Sequence, residues 1–360
     1  MNIHHENYER FFEVSGASYL FASIFFESYK TMGVLIMNDN GVVSVYLNKS
    51  ASLLTRQDGL QLFSNKPQAE SYISEFETFL ERAEPLLTQL SSAQIINTES
   101  LETFFSKIQE FFGFYRKTEF FYTDLAFQQA HQHPNTNSIL EQNLKSIERI
   151  KLKGRSFLNS IFNGSQSFLQ RKLTNLSNLT MIDVSDLELH GYKELTKPTE
   201  LPLHHLVLNG RKKNYFLVSS NQQQFLNGEA FNSAKQSFIN DDILSPNIIK
   251  GTVANVGYVS GIARVLVPNF HNFDELAQML DSMVEGEILV TESTSPDLIV
   301  ACQKASAIVT NQGGLGSHAA TISRELGIPC IVGTHKATKV IKTGDKILVD
   351  ANNGIIHLSL

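Results

Sequence analysis

Over residues 67–175 apolar positions recur every three or four residues, the spacing that puts them on one face of an α-helix. SYISEFETFLERAEPLLTQL and TESLETFFSKIQEFFGFYRKTEFFYTDLAF each predict a helix, the second with Ser100 as its N-cap. Beyond the turn signal HPNTN, SILEQNLKSIERIKLKGRSFLNSIF predicts a third. Residues 1–70 differ. The aromatic-rich ASYLFASIFFESYKTMG leads to the turn signal NDNG and then to VVSVYL, whose β-branched residues predict a strand. The pattern weakens over 176–250, where TMIDVSDLELHGYKEL predicts a short helix with flanks and LPLHHLVLNGRKKNYFLV could carry strands.

Near residue 245 the texture changes. LSPNIIKGTVANVGYVSGIARVLVP reads as a linker entering short strands. The order is then helix (FDELAQMLDSM), strand (EILVTES), helix (SPDLIVACQKA), strand (AIVTN), helix (SHAATISREL), strand (PCIVGT) and a hairpin around Asp350 and Gly354. Strands alternating with short helices predict an α/β module. The expected fold class is α+β multidomain, with 1–245 mostly helical (1–70 mixed α/β) and 246–360 a separate domain of strands and helices.

A chain of 360 residues, 42% hydrophobic and 18% charged, can bury two or three domain cores. Net charge is −6 and no Lys/Arg-rich run occurs, which argues against a nucleic-acid partner. An anionic substrate would need a local device rather than a general positive field. No stretch approaches the roughly 18 continuous apolar residues of a membrane span. MNIHHENYERFF is polar where a secretory signal would be basic and then apolar, so the expected location is cytoplasmic. Cys302 and Cys330 lie in apolar surroundings and are expected to be small core residues.

The chemistry concentrates in TNQGGLGSHAATISRELGIPCIVGT. Gly313, Gly314 and Gly316 allow a tight turn and a close approach. Ser317 is a good N-cap, which places His318 in the first turn of a helix that Gly327 and Pro329 terminate. The positive end of a helix disfavours imidazolium and stabilises a phosphoryl group attached to the ring. A lone histidine at such a turn is nevertheless more often structural than chemical.

TSPDLIVACQKASAIVTNQGGLGSHAATISRELGIPCIVGT resembles the phosphohistidine, or swivelling, domain of phosphoenolpyruvate-utilising enzymes, among them phosphoenolpyruvate synthase, pyruvate phosphate dikinase and rifampicin phosphotransferase. Pro296, the AIVT strand at 307–310, Gly313-Gly314, Ser317-His318-Ala319-Ala320, Arg324, Gly327-Ile328-Pro329 and Gly333 carry the likeness. GTVANVGYVSGIARV (251–265) and GDKILVDANNGIIHL (344–358) are similar to the family's domain edges. The resemblance covers about residues 246–360 and implies a swivelling β/β/α domain in which His318 is phosphorylated. Gly313, Gly314, Gly316 and Ser317 would cradle the phosphoryl group. Thr310 would contact that group or cap the turn. Arg324 would grip phosphate from another domain or pair with Glu325 or Asp297. Asp350 reads as a hairpin residue.

The family's large enzymes add an ATP-binding domain and an acceptor domain. Residues 1–245 show no ATP-grasp pattern, and no (β/α)₈ pattern follows the carrier. The resemblance therefore implies a phosphoryl-carrier component of a split, dikinase-like phosphotransferase, swinging about a hinge near 245–252. Mg²⁺ and ATP would be supplied on an ATP-grasp-type partner, and the acceptor would be an unknown small molecule. The helical region resembles in position the acceptor-binding part of rifampicin phosphotransferase-like proteins. Within YRKTEFFYTDLAF the acceptor-site candidates are Arg116, Glu119, Tyr122 and Asp124, the last as a general base. The dense aromatics there (Phe104, Phe105, Phe111, Phe112, Phe114, Tyr115, Phe120, Phe121) read first as core. His131, His133, His204 and His205 lack a zinc-like spacing, so no metal site is expected, and Gly210–Lys213 reads as a solvated basic turn. Two alternatives remain: a regulatory or binding module without acceptor chemistry, and a self-contained small-molecule kinase with an unrecognised nucleotide site.

Overall fold

Three strands from the first 48 residues pair antiparallel: β1 (Tyr8–Ser15) on β3 (Val42–Asn48), and β3 on β2 (Leu35–Asp39). The NDNG signal closes the second pair. Asn40 and Gly41 both have positive φ, 53° and 88°, the two-residue turn whose twist matches that of the strands. The computed structural model describes residues 7–93, 96–132, 139–201, 205–212, 214–219, 224–239, 247–267, 273–294 and 298–358. The chain forms two compact units, Met1–Phe238 and Ile239–Leu360.

In the first unit β4 (Tyr215–Val218) and β5 (Gln224–Asn227) complete an antiparallel sheet in the order β1-β3-β2-β4-β5. Tyr215, Phe216, Leu217 and Val218 are all buried, and β4 pairs directly with β2. The strands foreseen after residue 200 thus join the mixed α/β start. Helix α1 (Tyr19–Tyr29) is capped by Ser18, whose Oγ accepts from Phe21 N at 3.2 Å.

The helical part follows as α2 (Lys49–Ser64), α3 (Lys66–Ser92), α4 (Thr98–Tyr115), α5 (Phe120–Gln132), α6 (Ile139–Phe162) and α7 (Phe168–Thr180). It continues through the single turns α8 (Val184–Leu187) and α9 (Tyr192–Leu195), then α10 (His205–Arg211) and α11 (Gly228–Ile239). Two expectations need correction here. The continuous run of helices begins at residue 49, inside the stretch read as mixed α/β, rather than at about 67. The buried positions of α2 are Ser52, Gly59 and Phe63, so small residues form its contact row and no apolar period betrays it. The long helix expected over 98–127 is broken by a 3₁₀ turn at Arg116–Thr118. Its N-cap is Asn97, not Ser100. Asn97 Oδ1 accepts from Ser100 N at 2.8 Å, and Ser100 Oγ accepts from Asn97 N at 3.2 Å, a reciprocal capping box.

The aromatic run is core. Phe104, Phe105, Phe111, Phe112 and Tyr115 are buried, Phe76 stacks on Phe114 with centroids 5.3 Å apart, and Phe111 meets Phe157 of α6 at 5.1 Å. The side chains of Phe120 and Phe121 lie outside the described residues.

The second unit holds β6 (Ile248–Lys250), β7 (Thr252–Asn255), β8 (Tyr258–Leu266), α12 (Phe273–Ser282), β9 (Ile288–Thr291), α13 (Ile299–Lys304), β10 (Ala307–Thr310), α14 (His318–Leu326), β11 (Cys330–Val332), α15 (Ala337–Val340), β12 (Lys346–Asp350) and β13 (Ile355–Leu358). The strands form one sheet in the order β6-β13-β12-β8-β9-β10-β11-β7, with β8, β9, β10 and β11 mutually parallel. Of these, β9, β10 and β11 are buried on both faces, as strands must be when covered from either side. Ile288, Val290, Ala307, Val309 and Ile331 enter one core cluster. Leu289, Ile308 and Cys330 enter the other, with Cys302 of α13 and Ala319 and Ala320 of α14. Both cysteines are free and buried, and burial pushes each thiol up to about 12, where it is inert. Asp350 serves the β12–β13 hairpin, its Oδ1 accepting from Asn352 N and Asn353 N at 3.1 and 3.2 Å.

Candidate functional site

The carboxyl ends of the neighbouring parallel strands β9 and β10 deliver the two segments that build the site, Glu292–Thr294 and Asn311–Ser317. Gly313 has φ of 108°, and an added Cβ would lie 2.9 Å from Ser317 Cβ, so the turn folds tightly back on the helix cap. Gly333, with φ of 67°, approaches closely enough that its Cβ would stand 3.1 Å from Gly313 O. Ser317 is the N-cap, its Oγ accepting from Ala320 N at 3.2 Å. His318 is then the first residue of α14. The helix ends in a left-handed Gly327 with φ of 69°, and Asn255 of β7 donates to Ser323 O and Ile328 O at 3.2 and 2.8 Å.

The His318 ring is half-buried, and its Nδ1 lies 3.0 Å from Thr294 Oγ1. Thr294 is 5% exposed, so the strand end fixes both the ring's orientation and the face it presents. Behind the turn, buried Asn311 ties the strand ends together. Its Nδ2 donates to Glu292 Oε1 and Thr338 Oγ1, each at 2.6 Å, while its Oδ1 accepts from Thr338 N at 3.1 Å. Thr338 Oγ1 donates to Glu292 Oε1 at 2.5 Å. A buried network satisfied in this way holds the glycine turn on a rigid base.

The other sequence candidates divide between site and scaffold. Of the two roles open to Thr310, the structure gives it the turn: its hydroxyl is buried and donates to Gln312 O at 2.6 Å. Arg324 donates from Nε to Ala320 O at 2.8 Å and from Nη2 to Leu315 O, bracing the turn that precedes His318. Pro296 and Asp297 lie outside the described residues, as do His133, His204, Lys213 and residues 240–246 of the hinge region. Sequence reasoning assigned nothing to Thr294. Its one signal is position, just beyond the strand predicted at EILVTES, which the structure sets parallel and adjacent to the one feeding the glycine turn.

Thr294→Val is expected to remove the partner of Nδ1 and with it the hydrogen bond that fixes the tautomer of the ring, worth about 1 kcal/mol. Ring ¹⁵N shifts should show the tautomer ratio changing in the valine variant and returning in Thr294→Ser.

Residues 283–354 match the PEP-utilising enzyme mobile domain. Relatives align with the same region. The phosphoenolpyruvate synthase of Pyrococcus furiosus is 49% identical over 110 residues, 31% of this chain and 12% of that protein. The probable phosphoenolpyruvate synthase of Pyrococcus horikoshii is 48% identical over 110 residues, with the same coverage of 31% and 12%. The phosphoenolpyruvate synthase of Aquifex aeolicus is 49% identical over 107 residues, 30% of this chain and 12% of that protein. The mobile domain is thus the shared part, and the chain covers about an eighth of those relatives' length. The solved structure of Enzyme I overlays at a TM-score of 0.21 with 13% identity, covering 82% of this chain and 80% of that one, a likeness too slight to bear on the fold.

In the first unit Arg116, Glu119 and Tyr122 share electrostatic neighbours around Tyr29 and Tyr72, while Asp124 pairs elsewhere. Arg116 donates to Ser28 O at 3.5 Å, and Glu119 sits beside Tyr115 at the α4–α5 joint. The Tyr122 ring packs edge-on against Phe63 at 6.1 Å. Asp124 turns elsewhere, its Oδ2 3.6 Å from Arg56 Nε and its Oδ1 buried without a hydrogen-bond partner. Burial pushes this carboxyl up to about 6 against the pull of Arg56. The folded chain therefore holds the Asp124 proton more tightly than the unfolded one. The group's contribution to stability is full below about pH 4 and is lost as pH rises through about 6, roughly 3 kcal/mol in total and about 1 kcal/mol between pH 5 and 7. Asp124→Asn should flatten that slope, as read from urea unfolding of both proteins at pH 5 and pH 7.

Another group converges as well. Tyr19, Phe26, Glu27, Tyr192, Glu194 and Arg211 line a cleft of about 630 Å³. Arg211 corrects the expectation of a solvated basic turn. Its side chain is 11% exposed, grips Glu194 with Nη1 at 2.6 Å and Nη2 at 2.8 Å, and lies 4.2 Å over the Tyr19 ring. The pairing of residues 17 apart across two short helices leaves no periodic trace in the sequence. Among the described residues no group of three or more His, Cys, Asp or Glu is placed to hold a metal ion, and none of their helices is long and apolar enough to cross a membrane.

Proposed function

We propose that this chain is a phosphoryl carrier that accepts a phosphoryl group on His318 and passes it to a small-molecule acceptor. The observation that carries the reading is the His318 ring at the first turn of α14, with Nδ1 held by Thr294. The match to the mobile domain supports it. With the ring proton on Nδ1 and donated to Thr294 Oγ1, the lone pair of Nε2 attacks phosphorus. A P–N bond forms, the P–O bond to the nucleotide breaks, and its electrons leave on the nucleotide oxygen. In the second step an acceptor hydroxyl oxygen attacks phosphorus and gives up its proton to water, while the P–N bond breaks and its electrons return to Nε2. One difficult transfer becomes two easier ones. The first-turn N–H groups and the helix dipole favour the negative charge while it rests on the ring.

ATP and Mg²⁺ belong, in this proposal, to a separate ATP-grasp-type protein, the ion offsetting the charge on the nucleotide phosphates. The decisive experiment incubates the pure chain with β- and γ-labelled ATP, alone and with such a protein. Acid-labile, base-stable label appearing only with the partner supports the carrier reading. Label acquired by the chain alone favours a self-contained kinase, and no label in either condition overturns both.

A further inference from the structure

The cleft of the N-terminal unit contains none of the residues that act at His318, yet it has the size and make-up of a ligand site. Its volume of about 630 Å³ lies inside the range of small-molecule pockets, about 300–1,000 Å³. Tyr19 and Phe26 of α1, Tyr192 of α9 and Phe225 of β5 give it aromatic walls. Leu206 and Val207 of α10 line it while remaining 67% and 44% exposed, and Phe225 is 38% exposed. Three water-facing apolar side chains around one concavity is the pattern of a binding surface rather than of scattered surface residues.

The charges in the cleft define what it can hold. Arg211 is closed on Glu194, and Lys193 meets Glu27 at 3.1 Å. Burial pushes the Glu194 carboxyl up, but the Arg211 fork and the Gly191 N–H outweigh it and hold the group below its ordinary range. Glu27 is likewise held low, its burial outweighed by Lys30 and Lys193. Two carboxylates and two cations leave the lining formally neutral, so nothing selects an ion. Flat surface and hydrogen bonding remain. The guanidinium of Arg211 stacks on Tyr19, and three of its five N–H donors are committed to Glu194 and to Leu189 O. The Asn227 amide adds a polar group to the same lining.

We propose that this cleft binds a neutral, flat, mostly apolar molecule bearing a hydroxyl or carbonyl oxygen, such as a phenol or a hydroxylated ring system. If the carrier reading above holds, the hydroxyl of that molecule is the phosphoryl acceptor; the binding itself does not depend on it. The ring lies against Tyr192, Leu206, Val207 and Phe225, and its oxygen meets Arg211 or Asn227.

The test uses 2-naphthol with the full, unphosphorylated chain. The sequence contains no tryptophan, so emission excited beyond the tyrosine band comes from the naphthol alone. Saturable binding at one site is expected, with a dissociation constant on the order of 0.1 mM for so small a molecule. Leu206→Asp and Val207→Asp, both at water-facing positions, should each weaken it at least about tenfold while leaving far-UV circular dichroism and the thermal midpoint unchanged. Leu152→Asp, on α6 outside the cleft, should bind as the parent does. His318→Ala should also bind normally, so failure of the carrier reading and failure of this one are separable. Absence of saturable binding, or equal binding by both aspartate variants, would overturn the proposal.

Discussion

Replacing His318 with alanine is expected to lower phosphoryl incorporation from ATP by at least about 10³-fold, because the covalent route then has no nitrogen to pass through. The size of the effect follows from the role and not from damage to the fold. Alanine is the best helix former, and the cap that starts α14 belongs to Ser317 and Ala320, which the substitution leaves untouched. The helix is anchored below by buried Ala319, Ala320 and Ser323. What is lost structurally is the partner of the Thr294 hydroxyl, itself 5% exposed, which should lower stability by about 1 kcal/mol. A variant that unfolds at nearly the parental temperature and takes up no acid-labile label separates chemistry from folding. Full labelling of that variant would place the phosphoryl group on another residue and end the carrier account.

The second unit was legible because its local signals agree with one another. Glycine, a hydroxyl cap, a short apolar helix, glycine and proline occur in the order that helix ends demand, and the buried alternation of β9 and β10 falls where β-branched runs predict it. Thr294 escaped notice because its importance arises only when two parallel strands stand side by side. Asn311 and Glu292 escaped for the same reason. In the first unit the long amphipathic helices were legible and the contacts of small residues were not. Helix α2 buries a serine and a glycine, and the α4–α5 break falls in the short polar run RKTE, which carries no glycine or proline to announce a helix end. The cleft was illegible in sequence, since α1, α9, α10 and β5 contribute one or a few side chains each from positions 19 to 227. Arg211 shows the limit most clearly. A basic tripeptide beside glycine reads as a surface turn until Glu194 and the Tyr19 ring are seen to enclose its first residue.

Gly59→Ala is expected to lower stability by about 3 kcal/mol or more, although alanine elsewhere in a helix interior gains up to about 1 kcal/mol over glycine. The sign is decided by what the new methyl would meet. At Gly59 an added Cβ would stand 1.7 Å from Tyr122 O, 2.8 Å from Tyr122 C and 2.9 Å from Tyr122 Cδ1. The first two atoms are backbone of α5, so no rotamer change relieves the overlap. The two helices would have to separate by more than an ångström. That movement would also disturb the Phe63–Tyr122 contact and the interface around Asp124 and Arg56, where a buried carboxylate oxygen already lacks a partner. Gly113→Ala on α4 supplies the contrast, because its Cβ would meet nothing within 4 Å and its backbone has an ordinary negative φ. In far-UV thermal melts of the full chain, whose helical signal comes mainly from the first unit, Gly59→Ala should lower the midpoint by roughly 6–12 °C and Gly113→Ala should leave it unchanged or raise it by a few degrees. Equal behaviour of the two variants would mean that α2 and α5 do not approach so closely, and the placement of Tyr122 and Asp124 would have to be redrawn with them.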